Sequence, residues 1–137
     1  MTTEDAVAAQ RLLAQLGYPL ELLEVRRRYD AVVRSADHAV MLADQDGTIV
    51  ALCHMYVRPA LDKPPEVVVQ SLVVEQACRG SGMGKRMLAA AEAWAADRGF
   101  GSVALASNIS RTPAHAFYEA LGYRRAATSH QFRKALA

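Results

Sequence analysis

The sequence has few of the features that would settle its class at once. Its two cysteines, Cys53 and Cys78, lie far apart and in no metal-ligating spacing. No disulfide framework or cysteine-based metal site follows from them, and free thiols suit a soluble, cytoplasmic protein. No apolar run approaches the roughly 20 residues of a membrane span, and the opening MTTEDAVAAQ is too polar for a signal peptide. A formal charge of +2 is too small to attract nucleic acid in bulk, and no motif interleaves aromatic with basic residues. Internal repeats, low-complexity tracts and interdomain linkers are also missing. What is present is an ordinary globular composition, 52% hydrophobic and 22% charged over 137 residues, enough for one domain spanning 1–137 with a real core.

The most informative stretch runs from Gln70 to Leu88, QSLVVEQACRGSGMGKRML. Apolar β-branched residues lead into a glycine-dense turn, and the turn leads into a helix-forming run. Gly80, Gly82 and Gly84 alternate, with Arg79 before them and Lys85 and Arg86 after. Glycines let successive N–H groups converge, and a helix starting near Gly84 adds its own unpaired N–H groups and positive dipole end. Such a turn cradles phosphate, and the cations favour a polyanion such as a pyrophosphate. It is not a Walker loop, because Arg86 follows Gly84-Lys85 and Arg79 stands where the first glycine belongs. It is not a dinucleotide fingerprint either, because Lys85 occupies the third glycine position.

Elsewhere the pattern predicts a helix capped by Thr2 or Thr3 and burying Ala6, Ala9, Leu12, Leu13 and Leu16. A second helix is predicted from about Leu20 to Val33, with Leu23, Tyr29, Val32 and Val33 as core candidates and Arg26, Arg27 and Arg28 as a solvated basic run. A hairpin follows, turning at Asp44 to Gly47. The proline-rich loop Arg58 to Pro65 borders the strand EVVVQSLVV, whose near-continuous apolar run suggests a central position. A helix then buries Met87, Leu88, Ala91 and Ala95 and stops at Gly99, with Trp94 at its edge. A short strand from Val103 to Ser107 precedes a helix opened by Thr112-Pro113 and ended at Gly122. YRRAAT and HQFRKAL are expected to close the chain as an antiparallel pair.

Arg79, Gly82 and Gly84 form an Arg-x-x-Gly-x-Gly signature that resembles the acetyl-CoA pyrophosphate loop of the GCN5-related N-acetyltransferases, the GNAT superfamily. Asn108 followed by AHAFYEALGY (Ala114 to Tyr123) is similar to a second segment of that family, and the resemblance covers roughly residues 39–135. It implies an α+β fold: a mixed, mostly antiparallel sheet, helices on both faces, and a central parallel strand pair that splays to admit acetyl-CoA. Members usually begin with an edge strand, which this chain lacks unless the gene starts upstream. The sheet is therefore expected to miss one edge strand or to expose an edge that a partner would cover, as in a homodimer.

The resemblance further implies transfer of an acetyl group from acetyl-CoA to a primary amine, directly within a ternary complex. The pyrophosphate falls to Arg79, Gly80, Ser81, Gly82, Met83, Gly84 and Lys85, and the pantetheine arm to the main chain of Leu72, Val73 and Val74. Asn108 becomes a side-chain contact to the cofactor, and Tyr118 the acid that protonates the leaving thiolate. A thiolate near pKa 8.5 and a phenol near 10 are close enough for that exchange. Phe117 is expected in the core. Glu66, Glu75, His54 and His115 are candidate bases by type alone. The chain ending resembles small-amine acetylators, aminoalkylphosphonate and aminoglycoside types among them. No acidic cluster is apparent, which favours a small or anionic amine, with Arg26 to Arg28, Arg58 or Arg111 available to an anionic one. The alternatives are a protein N-acetyltransferase and a non-catalytic CoA-binding regulator.

Overall fold

The structure is a computed structural model and describes residues 2–107 and 109–137. Asn108 lies outside the described residues. The chain forms two compact units, Met1–Ala106 and Ser107–Ala137.

In the first unit the order is α1 (Thr3–Gln15), α2 (Leu22–Val33), β1 (His38–Gln45), β2 (Thr48–Arg58), β3 (Glu66–Val74), a short 3₁₀ turn (Gln76–Cys78), α3 (Met83–Asp97) and β4 (Val103–Leu105). Thr2 opens α1 with a capping box: its hydroxyl accepts from the Asp5 N–H, and the Asp5 carboxylate accepts from the Thr2 N–H, both at 3.1 Å. The β1–β2 turn has positive φ at Asp46 and Gly47, the geometry that matches the twist of paired strands. At its far end α3 stops in a Schellman motif, with Phe100 N–H bonding Ala95 C=O and Gly99 N–H bonding Ala96 C=O.

The four strands lie in the order β1-β2-β3-β4, antiparallel except for the parallel β3–β4 pair. β2 and β3 are central, as the apolar run of β3 predicts. On one sheet face Ala9, Leu12 and Val25 of α1 and α2 pack with Leu52 and Val73. The strand alternation turns Ala51, Cys53 and Met55 to the other face, where α3 buries Met87, Leu88, Ala91 and Ala95. Burial pushes the Cys53 thiol up to about 12, so it stays protonated. Leu88 has no exposed surface. Leu88→Ala is expected to remove about 2–5 kcal/mol of stability, read from chemical unfolding; a loss below about 1 kcal/mol would mean that α3 is not a core helix.

Two expectations are corrected here. In α2, Leu23 and Val33 are exposed and Val25 is the buried residue. Leu23 precedes Val25 by two positions, roughly 200° around the helix, and so faces away from the sheet. The closing strand pair is also absent: residues 123–137 carry no strand, and Phe132 and Leu136 are exposed. That run has too few apolar residues at alternating positions to fill a sheet face. Among the described residues β1 is the outermost strand on its side of the sheet. No helix among them is long and apolar enough to cross a membrane.

The second unit contains α4 (Thr112–Ala120). Arg111 is its N-cap, one residue before the Thr112 that the sequence suggested, and Thr112 and Pro113 occupy the first turn.

Candidate active site

β3 carries the first feature of the site. Its pairing with β4 comprises Val67, Val68 and Val69 against Val103, Ala104 and Leu105, and goes no further. At the same level β3 bulges against β2: Met55 pairs with Val69 and His54 with Ser71, leaving Gln70 as the extra residue. Beyond the bulge β3 continues to Val74 along β2 alone. The splay therefore begins at Gln70.

Hydrogen-bond parity shows which main-chain groups face the splay. Glu75 N–H bonds Val50 C=O on β2 at 2.7 Å. Alternation then turns Val73 and Ser71 toward β2 as well, and turns Leu72 and Val74 the other way. Val73 sends its side chain into the α1–α2 core. Of the three residues expected to offer main chain to an extended ligand, Leu72 and Val74 turn theirs away from β2 and Val73 does not. Val74 C=O already accepts from Arg79 Nε at 3.1 Å.

The glycine turn is the second feature. Gly80 and Gly82 have φ of +85° and +84°, a conformation that L side chains rarely adopt. A Cβ at either would meet nothing within 4 Å, so conformation rather than crowding demands glycine. Ser81 does not cap α3; its hydroxyl donates to Cys78 C=O at 2.6 Å. Gly82 is the N-cap and supplies no side chain. The N–H groups of Met83, Gly84 and Lys85 are thus left without intrahelical partners at the positive end of the helix dipole. Arg79, Lys85 and Arg86 are exposed around them. This arrangement can hold a diphosphate through backbone N–H groups, with cations at its rim.

The candidate bases are sorted by their partners. Glu75 gives one carboxylate oxygen to Arg11 Nε and the other to Gln15 Nε2, both at 2.9 Å, and the Arg11 bond leads in holding its pKa low. Glu66 accepts from Arg58 on one oxygen and from Ser102 on the other. Both are committed acceptors. His54 pairs across β2–β3 with Ser71, next to the bulge. Its Nε2 lies 3.0 Å from His38 Nδ1, and the Tyr56 ring stacks on His38 with centroids 5.1 Å apart. Burial, then the charge of His38, lowers the His54 pKa below the usual 6.5. The unfolded chain consequently binds this proton more readily than the folded one. Stability from His54 is complete above 6.5 and declines as the pH falls below it. The melting temperature is expected to drop as the pH is lowered below 6.5 and to drop less in His54→Gln; equal slopes would remove His54 from that dependence.

The basic run on α2 is occupied elsewhere. Arg27 and Arg28 bond Glu24 at 2.7 and 2.8 Å, and these contacts hold Glu24 at about 2; Arg26 donates to Thr3.

Tyr118 and His115 belong to the second unit. Tyr118 is partly buried and sits one turn from the end of α4, where Gly122 (φ +93°) closes another Schellman motif. Its C=O accepts from Tyr123 N–H at 3.1 Å, and the two rings meet edge-on at 6.3 Å. Phe117 is exposed rather than in a core, because α4 buries no residue on that side.

A bulged, half-unpaired strand thus runs into a glycine-led helix start without a side-chain cap, and free main chain lies next to a set of unpaired N–H groups. The acetyltransferase (GNAT) family profile matches residues 2–123, and the chain belongs to that family, whose members are acetyl-transferring enzymes using acetyl-CoA. Aminoalkylphosphonate N-acetyltransferase of Salmonella typhimurium is 31% identical over 138 residues, covering 98% of this chain and 88% of the relative. The uncharacterised N-acetyltransferase YhdJ of Bacillus subtilis is 29% identical over 132 residues, covering 96% of this chain and 92% of the relative. An aminoglycoside N-acetyltransferase solved in complex with CoA superposes with a TM-score of 0.87 at 19% identity, over 99% of this chain and 92% of that one.

Proposed function

We propose that this protein transfers the acetyl group of acetyl-CoA to a primary amine of a small molecule, in a ternary complex in the cytoplasm. The observation that carries this reading is the junction of β3 and α3, where the freed main chain of Leu72 and Val74 leads into the Gly80–Gly82 turn and the uncapped start of α3.

In this reading Arg79 to Lys85 hold the diphosphate, largely through backbone N–H groups. The amide-rich pantetheine arm lies along β3 as an added strand would, exchanging hydrogen bonds with Leu72 and Val74. Asn108 remains our assignment as a cofactor contact. Tyr118 protonates the departing thiolate. The amine must lose a proton before it attacks, and His54 is the acceptor we favour, through water. Support comes from the two carboxylates already engaged and from the burial that keeps its imidazole neutral.

A small amine is favoured by the 31%-identical aminoalkylphosphonate enzyme. Arg27 and Arg28 share the Glu24 carboxylate and Arg58 is paired with Glu66, so Arg111 is the better candidate to meet an anionic amine. The test is thiol release from acetyl-CoA with a panel of aminophosphonates, aminoglycosides, polyamines, amino acids and short peptides. Release with one small-amine class supports the reading. Release with peptides alone makes the protein an N-acetyltransferase of proteins, and CoA binding without turnover makes it a regulator.

A further inference from the structure

Helix α1 is tied to the start of the diphosphate loop by a set of contacts the acetyl-transfer reading does not require. Arg11 and Gln15, one turn apart on α1, reach the same carboxylate: Arg11 Nε donates to Glu75 Oε2 and Gln15 Nε2 to Glu75 Oε1, both at 2.9 Å. Gln15 also accepts, at Oε1, from the N–H of Gln76 at 3.0 Å, so its amide bridges two consecutive residues. Arg11 Nη2 donates to Ile49 C=O on β2 at 2.8 Å. Glu75 N–H is held in turn by Val50 C=O.

Residues 75 and 76 are the base on which the glycine turn is built. Cys78 N–H bonds Glu75 C=O at 2.8 Å and Arg79 N–H bonds Gln76 C=O at 3.3 Å. Cys78 C=O then takes the Ser81 hydroxyl, and Gly82 follows as the N-cap of α3. An unbroken chain of hydrogen bonds thus runs from α1 through residues 75, 76, 78, 79 and 81 to the helix start. A partly exposed Arg–Glu pair contributes little to overall stability. Its geometric consequence is larger, because anion binding by backbone N–H groups depends on where those groups point.

We infer that Arg11 and Gln15 are positioning residues for the acetyl donor: through Glu75 and Gln76 they set the Gly80–Gly82 turn in the orientation that receives the diphosphate. The inference rests on the acetyl-CoA reading of that turn. It also gives Glu75 a role as anchor in place of base.

The test is a swap. Gln15→Glu sets two carboxylates against each other where an amide now donates. Adding Glu75→Gln restores the set in reverse: the side chain at 75 donates to the one at 15, which still accepts from Gln76 N–H, while Arg11 keeps an acceptor. CoA binding is measured by calorimetry on the full chain, with the melting temperature of each variant alongside. Gln15→Glu is expected to raise the Kd for CoA about tenfold with a melting temperature within a few degrees of wild type, and the double variant to recover most of that affinity. A Kd within about twofold of wild type in Gln15→Glu, or a double variant no better than the single, overturns the inference. Failure of the wild-type protein to bind CoA is a separate outcome that overturns the acetyl-CoA reading itself.

Discussion

Tyr118→Phe is expected to lower turnover about a hundredfold while leaving the affinity for acetyl-CoA within about a factor of two. The substitution removes one oxygen and keeps the ring, so it isolates proton donation from packing. The departing CoA thiolate has a basicity near that of a cysteine thiolate, about 8.5, and the phenol near 10 needs only modest tuning to protonate it. The backbone around Tyr118 is well determined by local structure. Its C=O takes Leu121 N–H and Tyr123 N–H at 3.1 Å each, and the Tyr123 ring sits against its own. That contact is the apolar clasp of a Schellman ending, and it limits the directions the phenol can take. Steady-state kinetics with the amine identified by the thiol-release panel gives the turnover, and calorimetry with CoA gives the affinity. Unchanged turnover would sink the assignment of Tyr118 as the acid, and parallel losses in both would make it a binding residue.

Gly82→Val should weaken CoA binding by about a hundredfold, the largest effect expected for a single change in the loop. Gly82 has φ of +84°, where a β-branched residue is strained by roughly 1–3 kcal/mol. Because a Cβ there meets nothing within 4 Å, the strain must be relieved in the backbone, not by moving a neighbour. Relief rotates the N-cap and turns the N–H groups of Met83, Gly84 and Lys85 away from one another. Gly82→Asn should bind at an intermediate level, since asparagine tolerates the left-handed region. The order glycine, asparagine, valine is what calorimetry should return. Equal affinity in all three would show that the turn at Gly82 does not hold the diphosphate.

Much of the site was legible in the residues. Alternating glycines flanked by Arg79 and Lys85, between an apolar strand and a helix-forming run, marked a strand-to-helix turn, and such a turn is found there, with positive φ at Gly80 and Gly82 and no side-chain cap on α3. The α3 core residues Met87, Leu88, Ala91 and Ala95 followed from helical spacing, and the turn at Asp44 to Gly47 from its turn-forming residues between two strand patterns. The second helix was harder to phase. LLEVRRRYDAVV offers apolar residues on several sides, and contact with β1 and α1 decided that Val25 points inward and Leu23 does not. The tail misled for a different reason: RRAATSHQFRKALA has apolar residues but no alternation to sustain a strand, and no strand forms there.

Residue order alone sets the local chemistry: a turn that only glycine adopts comfortably, a helix start left open, and a tyrosine near the close of α4. Those properties depend on neighbours a few residues apart, and local backbone preference is readable in a single chain. Tertiary structure alone decided where β4 leaves β3, that Gln70 bulges at the same level, and that Glu75 is bound to α1 and so is an occupied acceptor. The last of these joins residues 64 positions apart, Arg11 and Glu75. No pattern along the chain marks such a pair, because their meeting depends on how α1 lies across the sheet, which the burial of Ala9, Leu12 and Val73 sets.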